Sequence, residues 1–171
     1  MRRSDLLTLT GLTVPVFNAW RRRQALPFPD PKDSGWGDYS IQNAIALDLA
    51  VSLDQLGLAQ RTAGEFVRSK SDELFAALRS EGRNTAFGCM VFQDVATARD
   101  DEKSLQLLPF CCKFSELDTA LSGQIPRPDF WPARRGLLLV DLSDRIDELF
   151  IRAQISSDPS GLTKQLEAVV A

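Results

Sequence analysis

Apolar residues recur along this chain in two rhythms, and the change from one to the other falls near residue 85. Before it, the rhythm is helical. Ser4 is placed to cap a first short helix over residues 3–9, ahead of Leu6, Leu7 and Leu9. Gly11 can turn the chain, and Thr13 can cap a second helix with Pro15 in its first turn, where a missing N–H costs little. In that helix Phe17 and Trp20 lie three apart and share one face, while Asn18, Arg21 and Arg22 share another. Pro27, Pro29, Pro31 and the turn-forming "DSGWG" then exclude helix, predicting an extended arm or small hairpin from Leu26 to Ser40. Ser40 is the expected cap of a long amphipathic helix carrying Ile41, Ala44, Ile45, Leu49, Leu53 and Leu56, with Gly57 as its stop. A further helical stretch runs from about Ala59 to Ser80, interrupted near "SKS", with Phe66, Val67, Leu74, Phe75 and Leu78 as its apolar members.

Beyond "EGRN" (81–84) the pattern changes. "TAFGCMVFQDV" (85–95) and "QLLPFCCKF" (106–114) are rich in aromatic, β-branched and sulfur side chains and flank the acidic "ATARDDEKS", the signature of two antiparallel strands. A short helix over "SELDTALSG" (115–123) and a stiff loop over "IPRPDFWPARRG" (125–136) follow. "LLLVDLS" (137–143) has the length of a buried strand, and "DRIDELFIRAQI" (144–155) and "SGLTKQLEAVV" (160–170) have helical periods. The expected class is α+β: a mostly helical unit over residues 1–80, then a small α+β unit with an antiparallel sheet over 85–171.

Composition narrows the function classes. The 171 residues suit one domain or two small ones, and 44% hydrophobic and 25% charged residues fit a globular protein. The net charge of −3 does not announce a polyanion binder, but it is unevenly spread. Residues 1–70 hold nine Lys/Arg against seven Asp/Glu, a net of +2, while the remainder carries −5, so a surface for a polyanion belongs in the first part. There is no histidine, which excludes Ser–His–Asp and Cys–His catalysis and removes the commonest transition-metal ligand. The carboxylates, lysines and thiols assemble no catalytic set, so an enzyme is not expected, nor a cofactor or metal. No apolar run approaches the ~20 residues of a membrane span, and the N-terminal run is too interrupted for a signal peptide. Cys89, Cys111 and Cys112 are odd in number, and adjacent cysteines point to opposite faces of a strand. They read as small buried hydrophobes in a reducing cytoplasm rather than as a disulfide framework or sensor.

Within the N-terminal unit, residues 11–26, "GLTVPVFNAWRRRQAL", resemble the recognition-helix segment of the MerR-type winged-helix regulators, which typically reads like G-V-S-x-x-T-L-R-Y-Y-E-R-x-G-L-L. "GWGDYS" (35–40) sits where that family carries G-Y-R-x-Y-S on the return from its wing, and "LGL" (56–58) falls at the spacing of its L-G-F. The resemblance covers roughly residues 3–70. Asn18 and Ala19 stand where the family has arginine and its first tyrosine, Trp20 keeps the second aromatic, Gln24 replaces a glycine and Gly37 replaces the wing arginine.

The resemblance implies a winged helix-turn-helix and a sequence-specific, DNA-binding bacterial transcription regulator that works as a dimer in the cytoplasm, on the nucleoid. Double-stranded DNA is the expected partner, with RNA polymerase or another protein as a further one. The expected contacts are Thr13, Pro15 and Asn18 in the major groove, with Arg21, Arg22 and Arg23 on phosphates. Arg2 and Arg3 precede the first helix, Lys32, Trp36 and Tyr39 lie on the wing, and the Trp20 indole adds a packing role with a reach toward phosphate. Two other readings compete: an excisionase-like or phage architectural DNA-binding protein, and a protein-interaction or ligand-binding module whose winged helix no longer touches DNA.

Overall fold

In the computed structural model, residues 1–30, 39–81, 85–93, 105–119 and 133–170 are described. The N-terminal part contains α1 (Arg3–Thr10), α2 (Val14–Arg22), α3 (Ile41–Gln55), α4 (Gln60–Ser69) and α5 (Ser71–Glu81). The C-terminal part contains β1 (Thr85–Gln93), β2 (Leu105–Lys113), a 3₁₀ turn (Phe114–Glu116), β3 (Ala133–Asp141), α6 (Leu142–Ala153) and α7 (Pro159–Val170). This is the expected α+β arrangement, with α1–α5 ahead of a small antiparallel sheet and α6 and α7 after it.

Helix α3 is the axis of the fold. Ten of its fifteen residues are buried, including Ala44, Ala46, Leu47 and Leu49 on successive faces, so it packs against neighbours on several sides rather than lying on a surface. Its start is fixed by a capping box: Ser40 Oγ accepts from the Asn43 N–H, and Asn43 Oδ1 accepts from the Ser40 N–H. Helices α1, α4, α6 and α7 all pack on α3. One hydrophobic core therefore runs from Leu6 and Leu9 of α1 through α3 to Leu149 and Leu166 of the C-terminal helices.

The sheet has the order β2-β1-β3, antiparallel throughout. β1 lies in the centre, and its Phe87 is fully buried and packs against Phe66 of α4 with ring centroids 5.5 Å apart. Gly88 permits close packing of the strands: a Cβ there would lie 2.1 Å from the Leu138 carbonyl oxygen. β3 passes directly into α6, where Asp141 caps the helix by accepting from the Ser143 N–H at 2.9 Å.

Several boundaries differ from expectation. α1 begins at Arg3 with Arg2 as its N-cap residue, so Ser4 lies inside the helix instead of capping it. β3 begins at Ala133, four residues before the expected strand, so 133–136 are ladder rather than loop. Its register slips opposite Val91 and Phe92, which accommodates the extra residue Arg135 as a bulge. The helix expected over 115–123 is a 3₁₀ turn followed by helical residues 117–119; its remainder, and the acidic stretch 96–104, lie outside the described residues. The break at "SKS" occurs as expected, between Ser69 and Ser71.

The C-terminal part is joined to the helical part by polar bonds as well as by the core. Asp48 of α3, 1% exposed, receives both Nε and Nη2 of Arg145 from α6, at 2.7 and 2.5 Å. Arg152, two turns further along α6, donates to the Leu9 carbonyl at 3.1 Å and lies 3.5 Å from Asp48. Burial pushes the Asp48 carboxyl above its ordinary range, and the Arg145 fork and Arg152 oppose that shift. Buried Asp5 of α1 accepts from the Ser157 hydroxyl at 2.6 Å, a third tie between the two ends of the chain.

Candidate nucleic-acid interface

Helices α1 and α2 form two short helices joined by a tight turn, and each ends in the same way. After α1, the Leu12 N–H bonds the Leu7 carbonyl and the Gly11 N–H bonds that of Thr8, a Schellman motif with Gly11 at φ 65°. After α2, the Ala25 N–H bonds the Trp20 carbonyl and the Gln24 N–H bonds that of Arg21, with Gln24 at φ 54°. Gln24 is thus a side-chain-bearing residue in a left-handed conformation that glycine ordinarily fills, at the position where the MerR-type pattern has glycine.

The segment leaving α2 is locked onto α4. Gly64 lies so close to it that a Cβ would sit 1.8 Å from the Ala25 carbonyl oxygen. Arg68 donates to the Leu26 carbonyl, and Arg23 donates to Gln60 Oε1 at 2.5 Å. These bonds fix where the C-terminal end of α2 points.

Around α2 the two faces differ sharply. Phe17 and Trp20 are buried at 0% and 1% exposure. Tyr39, 5% exposed, meets Phe17 edge-on with centroids 6.1 Å apart and Phe28 at 6.0 Å. Burial, helped by the nearby Asp30 carboxylate, pushes its phenol above its ordinary value. Trp20 and Tyr39 are therefore core supports beneath α2, in keeping with the packing role expected of each, and neither ring presents a face to solvent. Elsewhere along the helix Thr13, Val14, Pro15, Val16 and Arg22 are exposed.

The expected contact residues sort into three groups. Arg2, Thr13, Pro15, Arg22 and Arg23 are exposed, as the expectation requires. Arg3, Asn18 and Arg21 are half-buried and engaged. Arg3 Nη2 donates to Asn18 Oδ1 at 2.6 Å, and its guanidinium lies 5.0 Å from the centre of the Phe17 ring. Arg21 Nε donates to Asp30 Oδ2 at 2.8 Å. Lys32 and Trp36 lie outside the described residues, as does most of the expected wing; residues 23–30 and 39–40 contain no strand. Asn18, Arg21, Arg22 and Asp30 line a shallow depression of about 390 Å³.

Asp30 and the Arg3–Asn18 bond carry most of what the sequence did not indicate. An arginine donates only, so the Asn18 atom facing it is Oδ1, and the amide N–H₂ is turned away from Arg3. The bidentate pairing with adenine, which needs both amide atoms, therefore has to share Oδ1 with Arg3. The proximity of Asp30 was legible only as a carboxylate in a proline-rich arm; its pairing with Arg21, nine residues away, is set by the turn at Gln24.

Cys111 and Cys112 are half-buried on β2. Burial first, then the neighbouring Cys112 and Glu73, pushes the Cys111 thiol up to about 12, and burial also raises Cys112. Among the described residues, no three His, Cys, Asp or Glu side chains group as metal ligands, and no helix is long and apolar enough to cross a membrane. No protein family, curated protein or solved structure matches this chain.

Proposed function

We propose that this protein binds double-stranded DNA through α2 and acts as a dimeric transcription regulator. The observation that carries the reading is the outer stripe of α2, exposed at Val14, Pro15 and Arg22. Val14, Pro15, Arg21 and Arg22 each lie three or four residues from Asn18, the spacing that keeps residues on one helix face. Pro15, Asn18 and Arg22 point away from the buried Phe17 and Trp20, and Val14 and Arg21 flank that buried face. At 1.5 Å per residue, the step from Val14 to Arg22 covers about 12 Å, comparable to the width of the major groove. Small uncharged side chains occupy the end that would enter the groove, and arginines occupy the end that would meet phosphates.

A nine-residue helix touches few base pairs, so two copies related by a two-fold axis are needed for genomic discrimination. The winged form of the motif, the nucleoid as its place of action and RNA polymerase as a further partner belong to this proposal through the resemblance to MerR-type regulators.

Charge reversal tests it at residues whose loss leaves the fold intact. Arg21 is a poor choice because its removal strands Asp30. Arg2 and Arg22 are exposed. Arg2→Glu and Arg22→Glu together are expected to weaken binding to a fluorescent duplex and to reduce the slope of log affinity against log salt by about one for each phosphate no longer neutralised. An unchanged affinity and slope, with folding intact by circular dichroism, would remove α2 as the DNA-binding element.

A further inference from the structure

The stripe on α2 says which bases it suits. Guanine is read most often by a bidentate arginine or lysine, yet Val14–Asn18, about a turn and a half at the groove end of α2, contain no charged side chain. The first arginine on the stripe, Arg21, lies about two turns after Val14 and is already bonded to Asp30 at 2.8 Å. What the groove end does offer is apolar. Val14 is 50% exposed, a β-branched side chain held in water on the same face as Asn18, with exposed Pro15 beside it. The only base-edge group that an apolar side chain can read in the major groove is the thymine C5 methyl. Beside it, Asn18 presents its amide N–H₂, because Arg3 occupies one side of its carbonyl oxygen at 2.6 Å. An N–H₂ turned toward the bases meets an acceptor such as purine N7 or thymine O4.

We infer that α2 recognises A·T base pairs through thymine methyl contact at Val14, with Asn18 donating to a neighbouring acceptor edge. This rests on the proposal that α2 binds DNA. Arg22, exposed on the stripe, fits the same occupant: it supplies positive charge next to an uncharged centre, which matches a phosphate strand flanking base edges. Val14 is then a specificity residue and Arg22 an affinity residue, and the two roles separate experimentally. Burying one methyl contributes about fourfold in affinity, from about 0.8 kcal/mol per buried CH₂.

The experiment selects binders from a randomised duplex library with the purified full chain, then resynthesises the selected duplex with deoxyuridine in place of each thymine in turn. Uracil keeps the base pair, the groove and the backbone charge and removes only the methyl. The expected result is a selected site containing A·T pairs, at least one thymine whose replacement lowers affinity about fourfold, and a Val14→Ser variant that still binds but no longer distinguishes thymine from uracil there. A selected site rich in G·C pairs, or full affinity for every deoxyuridine duplex, overturns the inference while leaving DNA binding in place. If no duplex is enriched at any salt concentration, the DNA-binding reading itself fails, and this inference with it.

Discussion

Replacing Arg145 with methionine removes the fork that holds Asp48, and the structure sets the size of the effect. Asp48 is 1% exposed, and its two oxygens take the Arg145 Nε and Nη2 at 2.7 and 2.5 Å. In Arg145→Met the carboxylate keeps only Arg152, whose Nη1 is 3.5 Å away and is also bonded to the Leu9 carbonyl. Removing one partner of a buried ion pair costs about 3–5 kcal/mol, because the other charge is left without water or counter-charge. Arg145 is itself 28% exposed and Arg152 remains nearby, which places this variant near the lower end, roughly 3 kcal/mol. For a chain of this length that corresponds to a fall in Tm of roughly 6–12 °C, at about 2–4 °C per kcal/mol. Asp48→Asn combined with Arg145→Met removes the stranded charge, and the double variant is expected to recover at least ~1 kcal/mol relative to Arg145→Met alone. Urea unfolding followed by circular dichroism supplies the three values. A loss below about 1 kcal/mol in Arg145→Met, or a double variant no better than the single, would refute the account of a solvent-excluded Asp48 carboxylate through which α6 is joined to α3.

Three smaller perturbations test local parts of the fold. Gln24→Gly relieves a left-handed side-chain-bearing residue, which costs about 1–2 kcal/mol, against the extra chain freedom of glycine, so a net gain of about 0.5–1 kcal/mol is expected in the same unfolding assay; a loss would show that the Gln24 side chain makes a contact worth more than the strain. Gly64→Ala places a Cβ 1.8 Å from the Ala25 carbonyl oxygen, so α4 and the segment after α2 must move apart, destabilising the protein by about 1–3 kcal/mol; an unchanged Tm contradicts the close approach. Cys111, with its thiol pushed up to about 12 from an ordinary 9.0, keeps its proton in the folded protein. In a Cys112→Ser background it should be alkylated far more slowly at pH 8 than in urea, as read by peptide mass spectrometry. Because the folded value is raised, the stability it contributes is full below pH 9 and is lost as pH rises toward 12. Cys111→Ala should flatten that alkaline loss, and equal alkylation rates in folded and unfolded protein would sink the assignment.

Much of the helical half was readable because its signals are local. Ser40 with Asn43, and Gly11 and Gly57 at positive φ, state where α3 starts and where α1 and α3 stop. The two strands around the acidic stretch and the apolar run near residue 140 were legible for the same reason, as short runs with the right side chains. What sequence did not convey is long-range. That β1 rather than β2 receives β3 depends on how the chain returns, and no local pattern encodes that. The Asp48–Arg145 pair spans 97 residues, and Asp48 looks like one polar residue on an amphipathic helix until α6 is laid against it. At the candidate interface, the apolar spacing of Phe17 and Trp20 identified the buried face of α2, and hence its opposite. The Arg3–Asn18 and Arg21–Asp30 bonds were not legible, because each depends on how α1, α2 and the arm after Gln24 meet in space. Gln24 is the instructive case: by composition it is an ordinary helix residue, and its φ of 54° shows that it ends the helix as glycine does elsewhere in this chain.

The most direct test of the central claim is a titration of the purified protein against the DNA upstream of its own gene and against unrelated DNA of equal length, at low and near-physiological salt. A regulator that reads sequence through α2 predicts tight binding to the upstream fragment that persists at the higher salt, with the unrelated fragment bound weakly and released. Equal, weak binding to both fragments that vanishes with salt would leave only nonspecific attraction to the arginines around α2 and would contradict the account.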